Sequence, residues 1–176
     1  FFDMRCVYGE TGLVDALQEY AINRAHDNRI FRRFMAANAL THRPPLGFFR
    51  RFVQEDDGSQ SEGLNLKHRG IVPITSLVRI RALEAGIREP NTYRRIELAV
   101  KAGAMNENDA SSLRDALVLI NRTRLSHQSS QVAAGEKPTN FVPTEDLSPL
   151  MRRNLKAAFM LVVEAQHALA LRYQGH

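Results

Sequence analysis

Over residues 106–133 the sequence reads as one helix whose inward line changes character halfway. Ala110, Leu113, Leu117 and Ile120 are apolar, and the same line continues at helical spacing as Asn121, Arg124, His127, Gln128 and Gln131. A helix that served only a core would keep its stripe apolar. The second half therefore points into water or lines a polar cavity.

The same reading places further helices along the chain. Leu13, Leu17, Ala21 and Ala25 mark one over 11–25. Ile30, Phe31, Phe34 and Met35 mark a second over 28–40, stopped by Pro44-Pro45. A short apolar helix is expected over 73–85, and another over 93–101, opened by Pro90-Asn91-Thr92 and closed by Gly103. Asn106 caps the long helix, and Ser148-Pro149 opens the last one, whose inward line runs Met151, Leu155, Ala158, Phe159, Val162, Gln166, Leu169 and Tyr173. Between the second and third helices, 48–54 and 64–67 flank a polar stretch with glycines. Leu64 and Leu66 alternate with Asn65 and Lys67, which predicts a β-hairpin with Gly70 as its terminator. Residues 135–146 read as a loop. The fold class is mainly α: a bundle of about six helices with one small β-hairpin, forming one domain over 1–176.

Composition narrows the picture a little. The 176 residues carry 24 Lys+Arg against 19 Asp+Glu, a net charge of +5, which favours an anionic partner. One cysteine, Cys6, excludes an intramolecular disulfide and fits a cytoplasmic location. The longest apolar run, 157–163, is too short to span a bilayer, so no membrane partner is expected. The chain opens on Phe1-Phe2-Asp3 without Met, and we read it as a piece of a longer protein.

Self-sufficient catalytic chemistry is not legible. The six histidines show no metal-ligand spacing, and there is no Walker-type loop or nucleophile elbow. Gly58-Ser59 is similar to the Gly-Ser of nucleotidyltransferases, but 64–67 offers no carboxylate pair for Mg²⁺. The acidic run Glu55-Asp56-Asp57 reads as a solvated turn.

The candidates are therefore binding residues. Asn121, Arg124, His127 and Gln128 offer a guanidinium fork and amides for a phosphate or carboxylate ligand. The alternative is a helix end tied to its neighbours, with Gln128 hydrogen-bonded to Gln166. Asn38, on the apolar side of the second helix, is either a ligand contact or a tie to the Pro44-Pro45 turn. Lys67 and Arg69, opposite Leu64 and Leu66, either gather an anion before the next helix or form an exposed basic strand edge. Arg81, amid apolar neighbours, snorkels or pairs with an acid.

Five ordered segments carry a resemblance: Phe-Phe-Asp-Met-Arg-x-Val-Tyr-Gly at 1–9, Ala-Asn-Ala-Leu with Arg-Pro-Pro-Leu-Gly-Phe-Phe-Arg within 37–50, Leu-Asn-Leu-Lys-x-Arg-Gly at 64–70, Leu-Ser-His-Gln at 125–128 and Asp-Leu-Ser-Pro-Leu at 146–150. Together they resemble the nucleotidyltransferase substrate-binding domain of bacterial signalling proteins. In those proteins it follows a cyclic-nucleotide-binding domain, a CBS pair and a nucleotidyltransferase domain. Asp3-x-Arg5 and Leu66-Lys67 with Arg69-Gly70 are also similar to segments of PII uridylyltransferases and glutamine synthetase adenylyltransferases, although Cys6 stands where proline is expected.

The resemblance implies a helical partner to an upstream catalytic domain, with 1–10 as the tail of that domain. Mg²⁺ and a nucleoside triphosphate would serve the parent protein, with no cofactor in this chain. It also implies that Arg5, Lys67, Arg69, Asn121, Arg124, His127 and Gln128 face substrate, whether nucleotide or protein. Two other readings stay open. One is a basic nucleic-acid-binding module, against which the scattered cations and 7% aromatic content argue. The other is a structural or homodimerising bundle of a sensor protein.

Overall fold

A computed structural model describes residues 2–56 and 62–174. The fold is mainly α. Among the described residues there are six helices, α1 (Thr11–Asp27), α2 (Arg29–Ala39), α3 (Val72–Glu84), α4 (Thr92–Lys101), α5 (Glu107–Ala133) and α6 (Pro149–Gln174), and one small three-stranded antiparallel sheet. Among the described residues, no helix is long and apolar enough to cross a membrane.

Side-chain caps fix several helix starts. Asn28 accepts from Phe31 N at 2.9 Å, Asn91 from Tyr93 N at 3.0 Å, Asn106 from Asp109 N at 2.8 Å and Ser148 from Met151 N at 3.2 Å. The apolar half of α5 behaves as its pattern predicts: Ala110, Leu113, Leu117 and Ile120 are buried against Leu155, Phe159 and Val162 of α6 and Ile74, Leu77 and Val78 of α3. Ile22 and Ala25 of α1 pack on Leu83 in a small satellite cluster.

The sheet departs from the expected hairpin. Residues 48–54 are not its first strand, because Phe48–Arg50 is a 3₁₀ turn. β1 is Glu55–Asp56, which pairs with β2 (Glu62–Asn65) in the register Glu55↔Gly63. β2 has a second neighbour, β3 (Phe141–Val142), drawn from the stretch read as loop, with Leu64↔Val142. Glu55 and Asp56, expected in a solvated turn, and Glu62 and Gly63, expected in the hairpin tip, are thus strand residues; the rest of that tip, 57–61 with Gly58 and Ser59, lies outside the described residues.

The alternation expected over 64–67 also fails. Leu64, Asn65 and Leu66 are all buried, and Asn65 turns its oxygen to His68 N at 3.0 Å. Lys67 and Arg69 therefore do not share a strand face. They lie in a π-helical turn, Lys67–Ile71, in which Val72 N bonds back to Lys67 O and which runs straight into α3. Gly70 is no terminator: it is buried inside this turn, where a Cβ would sit 2.7 Å from Cγ2 of Ile120. Glycine lets the start of α3 touch α5, a close approach that a π-turn accommodates.

Candidate functional site

A cleft of about 340 Å³ opens between the N-terminal segment, the start of α4 and the middle of α5. Ile71, Pro90 and Leu117 supply apolar lining, while Arg5, Thr75, Asn91 and Asn121 supply polar groups. One wall is held electrostatically. Asp3 Oδ1 accepts from Arg95 Nη2 at 2.5 Å, and its other oxygen pairs with Arg79. Arg95 Nη2 also donates to Phe2 O at 3.0 Å, and Phe2 packs on Phe31 with ring centroids 5.9 Å apart. Burial pushes the Asp3 carboxyl up, but hydrogen bonds from Arg79 and Arg95 outweigh it and hold the group below the usual carboxylate range. Asp3 is the one carboxylate lining the cleft, and it is committed to two guanidiniums, so the cleft does not fit a resident metal. Elsewhere among the described residues, no three His, Cys, Asp or Glu side chains gather as a metal site.

Arg5 and Asn121, far apart in sequence, thus line the same cleft. Neither side chain has a hydrogen-bond or ion-pair partner among the described residues. Asn121 sits one turn after Leu117, at the point where the α5 stripe turns polar. Asn91, across the cleft, has its side-chain oxygen committed to capping α4.

The other expected residues go elsewhere. Arg124 donates to Asn140 Oδ1 at 3.0 Å, and Gln128 Nε2 donates to Thr139 O at 3.0 Å. Gln131 Oε1 accepts from Thr139 N at 2.9 Å. Asn140 O in turn accepts from Leu66 N at 3.0 Å. The polar end of α5 is therefore a clasp on the segment that becomes β3. The expected bond from Gln128 to Gln166 does not form. Gln166 donates to Ala39 O at 3.2 Å and His42 O at 2.7 Å, tying the end of α2 to α6.

That is the anchoring task considered for Asn38, which is exposed instead, along a groove with Phe34, Met35 and Ile80. Asn38 lies one helical position away from the inward line of half-buried Met35 and buried Ala36 and Ala39. Lys67 is exposed, while Arg69 Nε donates to Glu55 Oε1 at 2.6 Å. His127 lines a separate pocket of about 520 Å³ with Ser126, Ser130 and Ser148, its Nδ1 4.0 Å from Asp146. Arg81 pairs with Glu84 at 3.0 Å.

Sequence reasoning missed Arg95, buried in mid-helix among Ile96 and Ala99 with no pattern to mark it. It also missed Asn140, hidden in a presumed loop. Asp3 was visible only as part of a motif.

A family model described as "putative nucleotidyltransferase substrate binding domain" matches residues 29–173, and the chain belongs to that family. No curated protein and no solved structure matches it.

Proposed function

With that membership as premise, we propose that the chain is the recognition part of a bacterial, cytoplasmic, nucleotidyltransferase-like signalling protein. In this reading it is not catalytic alone, and its Arg5–Asn121 cleft receives the nucleotide. The observation that carries this is the pairing of two unpartnered polar side chains over an apolar lining in one cleft. A guanidinium fork suits a phosphate. A free carboxamide, donor and acceptor at once, suits the edge of a base. Leu117, Ile71 and Pro90 offer flat apolar contact.

A cleft of about 340 Å³ lies at the small end of ligand sites. It suits a nucleoside, with the phosphates leaving toward the metal of a neighbouring catalytic domain. Phosphoryl-type transfer is mostly positioning and charge stabilisation, so a domain that only holds and orients has a defined part in it.

The test is calorimetric titration with Mg-ATP and Mg-UTP at low salt, comparing the unaltered chain with Arg5→Ala, Asn121→Ala and Arg124→Ala. The reading expects binding of one nucleotide that weakens about tenfold or more in Arg5→Ala, as loss of a charged hydrogen bond does. Arg124→Ala should keep its affinity. Absence of binding to both nucleotides, or binding indifferent to Arg5 and Asn121, rejects it.

A further inference from the structure

The segment after α2 builds a projection that the cleft does not use. Phe48 and Phe49 are 92% and 89% exposed, with ring centroids 6.4 Å apart. Their loop is firmly held. Leu46 bridges Phe52, Gly47 N donates to Arg51 O at 2.8 Å, and Val53 N donates to Pro45 O at 3.0 Å. Phe52 anchors the base edge-on against Phe159, with centroids 6.2 Å apart. Phe49 itself has φ +57°, a left-handed conformation uncommon for a bulky residue. A sequence that keeps phenylalanine there retains an exposed ring despite the strain. Arg43 and Arg51 are exposed on either side, without an acidic partner among the described residues.

The complement lies on the same chain. Between α5 and α6 runs a shallow groove of about 170 Å³ with Leu113, Leu161, Ala165 and Ala168 as its apolar wall and Asp109 and Glu164 as its acids. Glu164 has no ion-pair partner among the described residues, and Leu161 is 38% exposed. The projection is convex, aromatic and flanked by arginine; the groove is concave, aliphatic and flanked by carboxylates. Its volume suits a phenyl ring.

We propose that the chain self-associates by seating the Phe48–Phe49 projection of one copy in the α5–α6 groove of a second. Two different surfaces meet, so the contact is heterologous and closes into a pair only when both projections are seated at once. The buried surface is small by the standard of stable complexes, so the association is weak and reversible. It does not depend on the nucleotide reading of the cleft.

Sedimentation velocity of the protein from about ten micromolar to one millimolar tests this, a range chosen for a weak interface. The unaltered chain should shift to larger species as concentration rises. Phe48→Ser with Phe49→Asn, the latter tolerant of positive φ, should raise the dissociation constant at least about thirtyfold, as loss of a hot spot does. Glu164→Arg and Arg51→Glu should each weaken association, and both together in one chain should restore it. Circular dichroism checks that these surface variants stay folded. A chain that is monomeric throughout overturns the proposal. So does association that survives the double phenylalanine variant, or charge reversals that do not rescue one another.

Discussion

Tyr173, near the end of α6, donates its phenolic hydrogen to Oε1 of Glu84, at the end of α3, at 2.5 Å. The same carboxylate takes Arg172 Nε at 2.9 Å and Arg81 Nη1 at 3.0 Å. Burial pushes the Glu84 carboxyl up, but the Tyr173 hydrogen bond and the charges of Arg81 and Arg172 outweigh it and hold it below its ordinary value. Burial, reinforced by Glu84, pushes the Tyr173 phenol above its ordinary value.

The two shifts bound stability on both sides. Glu84 is depressed, so its contribution is full above the ordinary glutamate range and fades as pH falls through the folded value. Tyr173 is raised, so its contribution is full below the ordinary tyrosine value and fades as pH climbs past it. Glu84→Gln should cost about 2–3 kcal/mol at neutral pH and shrink the acid-side loss. Thermal melts of both proteins across the acid range check this.

Arg124→Ala should loosen the fold rather than a binding site. It strands Asn140 and weakens the clasp that holds β3 beside β2. The expected cost is about 1–3 kcal/mol, the usual effect of removing one partner of a part-buried hydrogen bond. Hydrogen exchange at the Leu66 amide, bonded to Asn140 O, should accelerate before that of the α3 core.

Gly70→Ala should destabilise by about 1–3 kcal/mol despite alanine's higher helix propensity, because the new methyl meets Ile120 and overpacks the site. Adding Ile120→Ala removes the obstructing methyl. In urea melts the double variant should fall short of the summed single costs by more than about 0.5 kcal/mol.

Phe49→Gly should stabilise the monomer by up to about 1 kcal/mol, since glycine takes a positive φ without the steric penalty. A higher urea midpoint with unchanged slope would bear this out, and a lower one would show that the exposed ring packs usefully within the chain.

The long elements were legible because periodicity repeats over many turns. The apolar stripe of α5, its Asn106 cap and the start of α6 stand close to where the sequence puts them. Of the sheet only the middle strand was legible, since β1 and β3 have two residues each and no period to read. Gly70 misled because glycine ends elements more often than it permits one helix to touch another. At the candidate site, Arg5 and Asn121 were both named from sequence, but their meeting was not foreseeable. Nothing local links position 5 to position 121; Arg79 and Arg95 anchor the N-terminal segment through Asp3.

That anchorage divides the cleft at the edge of the matched span. Ile71, Leu117 and Asn121 lie within the span that defines the family, whereas Asp3 and Arg5 precede its first matched residue. In this chain the apolar lining and the carboxamide come from inside the matched span, while the strap that completes the enclosure comes from outside it. Replacing that short strap alone should therefore reshape the enclosure of this cleft while leaving the lining within the matched span in place.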